Sequence, residues 1–569
     1  MPRTGRATAN TAPGVQTPLT EPLSGGRRGG TLTVLNETDF EHLDPGVAYF
    51  SVDYEVVYAT QRPLYSNLPN SKEPTPDLAA GPPQIGNEGR VVTVKLKRGV
   101  HFSPPVNREV TSADVAYAIE RGLNPHVANP YVLSYFGSVE GMSTATGAPV
   151  KGIATPNKHE IVFKLTEPDA QVVVDALQLP LSAPVPKSYA RKFDRHRPSN
   201  YGDYEVATGP YMLRNNASGK VLGIGYMPGR SATLVRNRNW RRSTDLRPAY
   251  LNEVRIKIGG SSAANGAKVL ASRNSVENQQ PAVSTVRAAY AKHPSQLEVS
   301  PDAGSRYVAV NNAHGPFTNI NLRKALWAAL DRSAMDGAFG GEPFATVATH
   351  FIYPGIPGFE QAGGLTGPRG PQFDYDEHPG GDMAIAEKYV RLARFPSGRY
   401  TGGQTVSVVG ATGAPFEQDA EIVNQALNNL GFATKFALLP AAVMFAEYCN
   451  VPKEEIDVCP SVAWIADFSD PQAVLNVTFN GKYIAETGNV NWGQTNLPKI
   501  NEAMARAVSI TGTGPRATAW AQIDDELVED AAAIPFDWQS EAMIEGRRVR
   551  GVGDIWNTGS WDYSWTSLK

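Results

Sequence analysis

Residues 405–438 leave this chain the least choice of fold. Residues 405–409 read as a strand. Residues 417–430 put Ile422, Val423, Ala426, Leu427 and Leu430 on one helical face, Gly431 stops that helix, and residues 434–438 read as a second strand. A strand, helix and strand at this spacing form a β-α-β unit, which builds a parallel sheet covered by helices. A later run, residues 457–466, reads as a largely buried strand of the same sheet. It leads into Trp464-Ile465-Ala466-Asp467-Phe468-Ser469-Asp470-Pro471, where Asp-Pro biases the chain away from regular structure. Trp464, Asp467 and Phe468 therefore sit near a strand's carboxyl end, where open α/β sheets bind ligands. Aromatics beside an ionised carboxylate suit a ligand with an apolar body and a cationic group, such as the amino end of a peptide.

Other segments carry the same kind of signal. Residues 29–35 read as a strand leaving a flexible leader, and Leu43-Asp44-Pro45 turns the chain. Val92, Val94 and Leu96, and again Ile161, Phe163 and Leu165, alternate with polar residues as half-buried strands do. Between them Thr111-Ser112-Ala113-Asp114 has the pattern of a capping box, starting a helix with Val115, Ala118 and Ile119 on one face. Residues 232–236 and 254–258 read as further strands. A helix is expected over 320–332, with Leu322, Ala325, Leu326, Ala329 and Leu330 along one side. Residues 362–381, dense in Gly, Pro and Asp, read as a surface excursion.

At 569 residues the chain exceeds what one core organises, and roughly two to four lobes are expected. A net charge of -3 with no long block of like charge argues against nucleic acid as a partner. Residues 1–30, rich in Thr, Pro, Gly and Arg, have the composition of a tether and lack the apolar centre of a signal peptide. That leaves a cytoplasmic protein, or one whose export or lipid-anchor segment precedes these residues. The two cysteines, Cys449 and Cys459, are either a disulfide bracing the approach to Trp464, worth about 2–3 kcal/mol, or two reduced buried thiols. The histidines show no metal-ligand spacing; a lone His314 or His350 reads as structural. No nucleophile elbow, phosphate loop or complete dinucleotide fingerprint occurs, so neither metal nor cofactor is expected. Asp467 with Asp470 is the pair a carboxylate-dependent hydrolase would use, but Asp470 before proline reads as a turn-former.

Several blocks, in order, resemble the family 5 extracellular solute-binding proteins of ABC importers, the dipeptide, oligopeptide and nickel-binding group. They are Gly29-Gly30-Thr31-Leu32-Thr33-Val34 with Leu43-Asp44-Pro45, residues 96–102 with Thr111-Ser112-Ala113-Asp114-Val115-Ala116-Tyr117, Ala207-Thr208-Gly209-Pro210-Tyr211, residues 250–254, and Pro316-Phe317 through Asn321-Leu322-Arg323-Lys324-Ala325-Leu326 to Leu330-Asp331-Arg332. The family's short Asp-Gly turn is replaced by residues 103–110. Asn252 stands where Asp is commoner. The resemblance implies an α/β, periplasmic-binding-protein-like fold of type II, with two lobes hinged around a cleft and an extra domain in the first lobe. The expected division is a leader over 1–28, lobe I from 29–65, 203–302 and 537–569, the extra domain over 66–202, and the last lobe over 303–536.

By the same resemblance Asp467 pairs with a ligand's α-ammonium, behind Trp464. The main chain of Ile465 and Ala466 pairs with an extended peptide as an added strand would. Phe468, Tyr49 and Phe50 after the Leu43-Asp44-Pro45 turn, and Asn491 with Trp492, complete the expected lining. The implied role is extracytoplasmic capture of a peptide by a monomer without enzymatic activity, for delivery to membrane permease subunits. An oligosaccharide is the alternative, since Trp327, Trp464, Trp492, Trp520 and Trp538 are available for stacking; a nickel chelate has no His-rich site to hold it.

Overall fold

The computed structural model describes residues 25–569 apart from 70, 72–73, 143–148, 278, 280, 301–303, 342–343, 487, 511, 552–553 and 556–559. Most of the expected leader, residues 1–24, lies outside the described residues. The chain divides into two compact units, Met1–Ser300 with Glu541–Lys569, and Pro301–Ser540.

The first unit contains an eight-stranded sheet. At its centre β1 (Thr31–Asn36) carries Leu32 and Val34, both fully buried. Helix α1 (Ser51–Thr60) follows β1. A separate four-stranded antiparallel sheet has β2 (Val91–Lys95) paired with β3 (Glu160–Lys164), and α2 (Ser112–Arg121) packs against it. The capping box at Thr111 and Asp114 forms as the sequence implies. In the larger sheet β4 (Ser231–Arg236) runs antiparallel to β5 (Glu253–Ile258), while β1 lies parallel between β5 and β6 (Ser275–Glu277). Val254, Ile256 and Leu234 join Leu32 and Val34 in one apolar core.

The second unit is built on a six-stranded mixed sheet. Its strands are β7 (Ser305–Val310), a short edge piece Ala345–Thr346, β8 (Thr405–Ala411), β9 (Ala433–Leu439), β10 (Val458–Trp464) and β11 (Ala533–Gln539). Helix α3 (Phe416–Leu430) connects β8 to β9, which pair in parallel, and ends at Gly431 with φ +97°. β10 lies between β8 and β7, parallel to the first and antiparallel to the second. The β-α-β reading and the strand leading into Trp464 are therefore parts of one sheet.

One expectation is corrected and another refined. The helix expected over 320–332 stops at Ala329, and a second one spans Arg332–Ala338. Leu330 is extended, and the Asp331 carboxylate accepts a hydrogen bond from the Ala334 amide, so a residue with capping chemistry starts a new helix where hydrophobic periodicity alone continues the old one. Residues 362–381 run over the surface, as Leu365 at 50% exposure shows, but are anchored inward at several points. Phe373, Tyr375 and Asp376 are buried; Trp327 Nε1 donates to Asp376 Oδ1 at 3.0 Å, Arg332 pairs with the same carboxylate at 2.8 Å, and the Tyr375 hydroxyl donates to the Val528 carbonyl at 2.7 Å. The glycines and prolines shape a path whose aromatics still face inward.

A buried charged cluster crosses this second sheet. Arg306 on β7 sits over the rings of Phe339 and Phe416 at 4.4 and 5.1 Å. With its amide oxygen turned toward Arg306, Gln539 accepts from Nε and Nη2 at 2.9 Å each. Asp419 on α3 and Asp537 on β11 are fully buried, and Asp336 nearly so. Asp419 and Asp537 both bear on the Arg306 guanidinium, and Asp336 adds its charge beside Asp537. Burial raises the Asp419 carboxyl to about 7 against the lowering influence of Ser461 and Arg306, and pushes Asp537 well above the carboxylate range. A carboxyl with a raised folded-state pKa keeps a proton that the unfolded chain gives up, so its stabilisation is complete in acid and fades as pH rises from about 4 toward 7. The melting temperature should therefore fall between pH 5 and pH 8, and Asp419→Asn, which imitates the protonated acid, should flatten that slope. Differential scanning calorimetry across this range checks it, and an unchanged slope in the variant refutes it.

Candidate functional site

β10 is apolar on both faces because it is an interior strand: Val458, Val462 and Trp464 are all buried. Its carboxyl end lies where Gly304, at φ +131°, passes so close that a Cβ there would stand 2.9 Å from the Trp464 carbonyl. A side chain at 304 would push the two strands apart. The Trp464 indole donates to the Ala473 carbonyl at 2.6 Å, tying the strand to the helix Gln472–Phe479 that follows it. The Ala466 amide donates to the buried Tyr353 hydroxyl at 3.0 Å.

The turn beyond is held as firmly. Asp470 accepts from the Gln472 amide at 2.9 Å, the turn role read from the sequence. It also makes a two-point ion pair with Arg516, Nε to Oδ2 at 2.5 Å and Nη2 to Oδ1 at 3.0 Å. Arg516 Nη1 in turn donates to the carbonyls of Ala507 and Val508. Asp470 is thereby fully committed, and a two-carboxylate hydrolytic pair with Asp467 lacks its second member.

Trp464 belongs to an aromatic group. Its ring lies 6.1 Å from Trp492, edge to face, and Trp492 lies 5.8 Å from Tyr307 and 6.0 Å from Phe445. Trp492 Nε1 donates to Asn450 Oδ1 at 2.6 Å. Asn450 follows Cys449, which is joined to Cys459 on β10 in a disulfide. The bond links the turn carrying Asn450 to the strand carrying Trp464.

The structure thus brings Trp464, Ile465, Ala466, Asp467 and Trp492 into one region of the second unit, with Ile465 and Asp467 half-buried. Three readings change. Asn491 is fully buried, and its amide is spent on Thr495, accepting from N and donating to O at 2.8 Å each; it closes its own loop rather than offering a hydrogen bond outward. Phe468 is buried, so it supports the turn from beneath. The Ala466 amide, bonded to Tyr353, is not available to an added strand. Tyr49 and Phe50 lie in the first unit, Tyr49 against the Tyr131 ring at 5.2 Å and Phe50, 55% exposed, at the start of α1. His350 is structural: it is buried between Asp524 Oδ2 and the Gly364 carbonyl, 3.0 Å from each. Among the described residues no group of His, Cys, Asp and Glu is placed to hold a metal ion. Arg516 and Tyr353 were not singled out by sequence. They stand 46 and 113 residues from their partners, and no local pattern marks either.

Two stability measurements follow from this bracing. Replacing Cys449 and Cys459 with serine should cost about 2–3 kcal/mol in urea unfolding. Arg516→Met, which strands a buried carboxylate, should cost about 3–5 kcal/mol, with much of that recovered in the Arg516→Met/Asp470→Asn double variant. Additive losses in the double variant would show that the ion pair does not hold the turn.

The comparisons with known proteins agree with one another. Residues 73–485 match the model of the bacterial extracellular solute-binding proteins, family 5. The periplasmic oligopeptide-binding protein OppA of Escherichia coli K12 is 21% identical over 534 residues, covering 90% of this chain and 88% of that protein. The oligopeptide-binding protein OppA of Bacillus subtilis 168 is 25% identical over 537 residues, covering 92% and 90%. Among solved structures, the clavulanic acid biosynthesis oligopeptide binding protein 2 superposes with a TM-score of 0.82 at 23% identity, covering 98% of each chain. The fold is α/β and periplasmic-binding-protein-like. The match over residues 73–485 spans well over half of the sequence, and this chain belongs to the family 5 bacterial extracellular solute-binding proteins.

Proposed function

We propose that this protein captures peptides outside the cytoplasm and delivers them to the permease subunits of an ABC importer, without chemical change to the ligand. The carrying observation is the end of β10. Asp467 is half-buried just past an interior strand, on a turn pinned by Tyr353, Trp464 and the Asp470–Arg516 pair. A carboxylate held in place before the ligand arrives loses little entropy on binding, and a contact with an α-ammonium strengthens where water is excluded. The names of the relatives, oligopeptide-binding proteins in both cases, support a peptide over a sugar. Trp464 and Trp492 are committed to each other and to Ala473 and Asn450, so they back the turn rather than present stacking faces. We also keep the expected extra domain over 66–202 as part of this proposal.

A thermal-shift screen of di- to hexapeptides beside cello- and xylo-oligosaccharides tests the ligand class. A peptide at a hundredfold above its Kd should add about 2.7 kcal/mol of stability. Asp467→Asn should weaken peptides with a free amino terminus by roughly tenfold or more while leaving N-acetylated ones nearly unchanged. Equal loss for both would remove Asp467 as the ammonium partner, stabilisation by sugars alone would replace the ligand class, and release of a cleaved product in mass spectrometry would overturn the binding-only role.

A further inference from the structure

One helix of the second unit, Thr513–Glu529, stands behind both fastenings of the turn that carries Asp467. Near its start, Arg516 pairs with Asp470. Asp524, about two turns further along, acts on the other side. It is fully buried, and its Oδ1 accepts from the Phe351 amide at 3.0 Å. Its Oδ2 accepts from the Ile352 amide at 2.8 Å and lies 3.0 Å from His350 Nδ1. The next residue is Tyr353, also fully buried, whose hydroxyl receives the Ala466 amide at 3.0 Å. The path is continuous: Asp524 to the main chain of residues 351–352, Tyr353 to Ala466, and Ala466 to its neighbour Asp467.

Asp524 fixes main chain. Residues 350–353 belong to neither a helix nor a strand, so the amides of Phe351 and Ile352 join no ladder, and one carboxylate satisfies both. The same segment is held from other directions. Phe351 packs on Phe479 and Tyr307, with ring centres 4.6 and 5.7 Å apart, and the Trp538 indole donates to the His350 carbonyl at 3.2 Å. A phenylalanine at 353 would fill the same space; the hydroxyl adds the bond to Ala466. Because Arg516 and Asp524 share a helix whose eight-residue step rises about 12 Å, the two fastenings keep a fixed separation.

We propose that Tyr353 and Asp524 are positioning residues for capture of a peptide's amino terminus: with Arg516 they let one helix hold the Asp467 carboxylate from both sides before a ligand arrives. This rests on the peptide-capture reading of Asp467. A carboxylate on a loosened turn has to be ordered as the ligand binds, and that cost falls on the ammonium contact. Contacts made elsewhere along the peptide are spared.

Isothermal titration calorimetry on the full chain tests this, with the tightest-binding free peptide of the di- to hexapeptide set and its N-acetylated form as probes. Tyr353→Phe, which keeps the ring and removes the hydroxyl, should weaken the free peptide by roughly fivefold and the acetylated one by less than about twofold. Asp524→Asn should give the same split, with Asp524→Glu measured beside it in case the asparagine variant does not fold. Neither change should add to the loss that Asp467→Asn produces, because all act through one carboxylate. Hydrogen exchange on the unliganded protein should show the Ala466 amide less protected in each variant. The inference is overturned if these variants weaken both peptide forms equally, if their losses add fully to that of Asp467→Asn, or if Tyr353→Phe binds the free peptide as tightly as the unaltered protein. Selectivity lost in Asp467→Asn but kept in Tyr353→Phe removes this inference alone. If Asp467→Asn does not distinguish the two peptide forms, the ammonium role of Asp467 falls and this inference falls with it.

Discussion

Everything at the candidate peptide site depends on β10 being an interior strand of its sheet. Its antiparallel partner β7 and parallel partner β8 fix its register, and Gly304 lets β7 start close against the Trp464 carbonyl. β8 pairs with it at Val458 and ends at Ala411, while β7 follows it as far as Trp464, where the chain leaves the sheet. An amide buried there without a partner costs roughly 1–3 kcal/mol, and the Tyr353 hydroxyl removes that cost at Ala466. The next turn is locked by the Asp470–Arg516 pair. Asp467 stands between these two anchors. Its position is a consequence of sheet pairing, one hydroxyl and one ion pair, none of which needs a ligand to form.

The parts of this arrangement that could be read from sequence are those whose signal is local. The β8-α3-β9 unit follows from helical periodicity and a glycine stop; β10 follows from a largely apolar run; the capping box at Thr111 needs only four residues. Asp470 as a turn-former is equally local, since an aspartate before proline caps the next amide. What escaped is contact at a distance. Arg516 lies on a helix whose own periodicity says nothing of Asp470, and Tyr353 sits in an irregular segment. Asn491 misled because a polar residue beside a tryptophan looks the same whether its amide faces a ligand or its own loop. The break at Asp331 shows the converse failure: two helices with matching apolar faces look like one until a capping carboxylate is noticed.

Buried charge distinguishes structural from poised regions of this molecule. In the first unit Arg62 and Arg247 face Asp77 and Asp245, with Arg62 to Asp77 at 2.6 Å and Arg247 to Asp245 at 3.0 Å, and Asp562 lies close enough to bear on Arg247 as well. Burial alone would raise the Asp245 carboxyl, but Arg247 and Arg62 overcome it and hold it well below the usual range. In the second unit Arg306 faces Asp419 and Asp537, and there burial wins at both. The outcome turns on direct contact: Asp245 lies 3.0 Å from Arg247, whereas burial raises the Asp562 carboxyl, near the same guanidinium, to about 6.

Carboxyls held low by an ion pair and carboxyls raised by burial push stability in opposite directions with pH. A carboxylate whose folded pKa is depressed stabilises the fold above its unfolded value near 4 and loses that contribution as acid protonates it. A carboxyl whose folded pKa is raised does the reverse, contributing fully in acid and fading toward neutrality. Carboxylates in direct ion pairs supply stability that is lost in acid, and carboxyls raised by burial in both units, Asp53, Glu277 and Asp419 among them, supply stability that is lost toward neutrality. Between them lies a mildly acidic optimum.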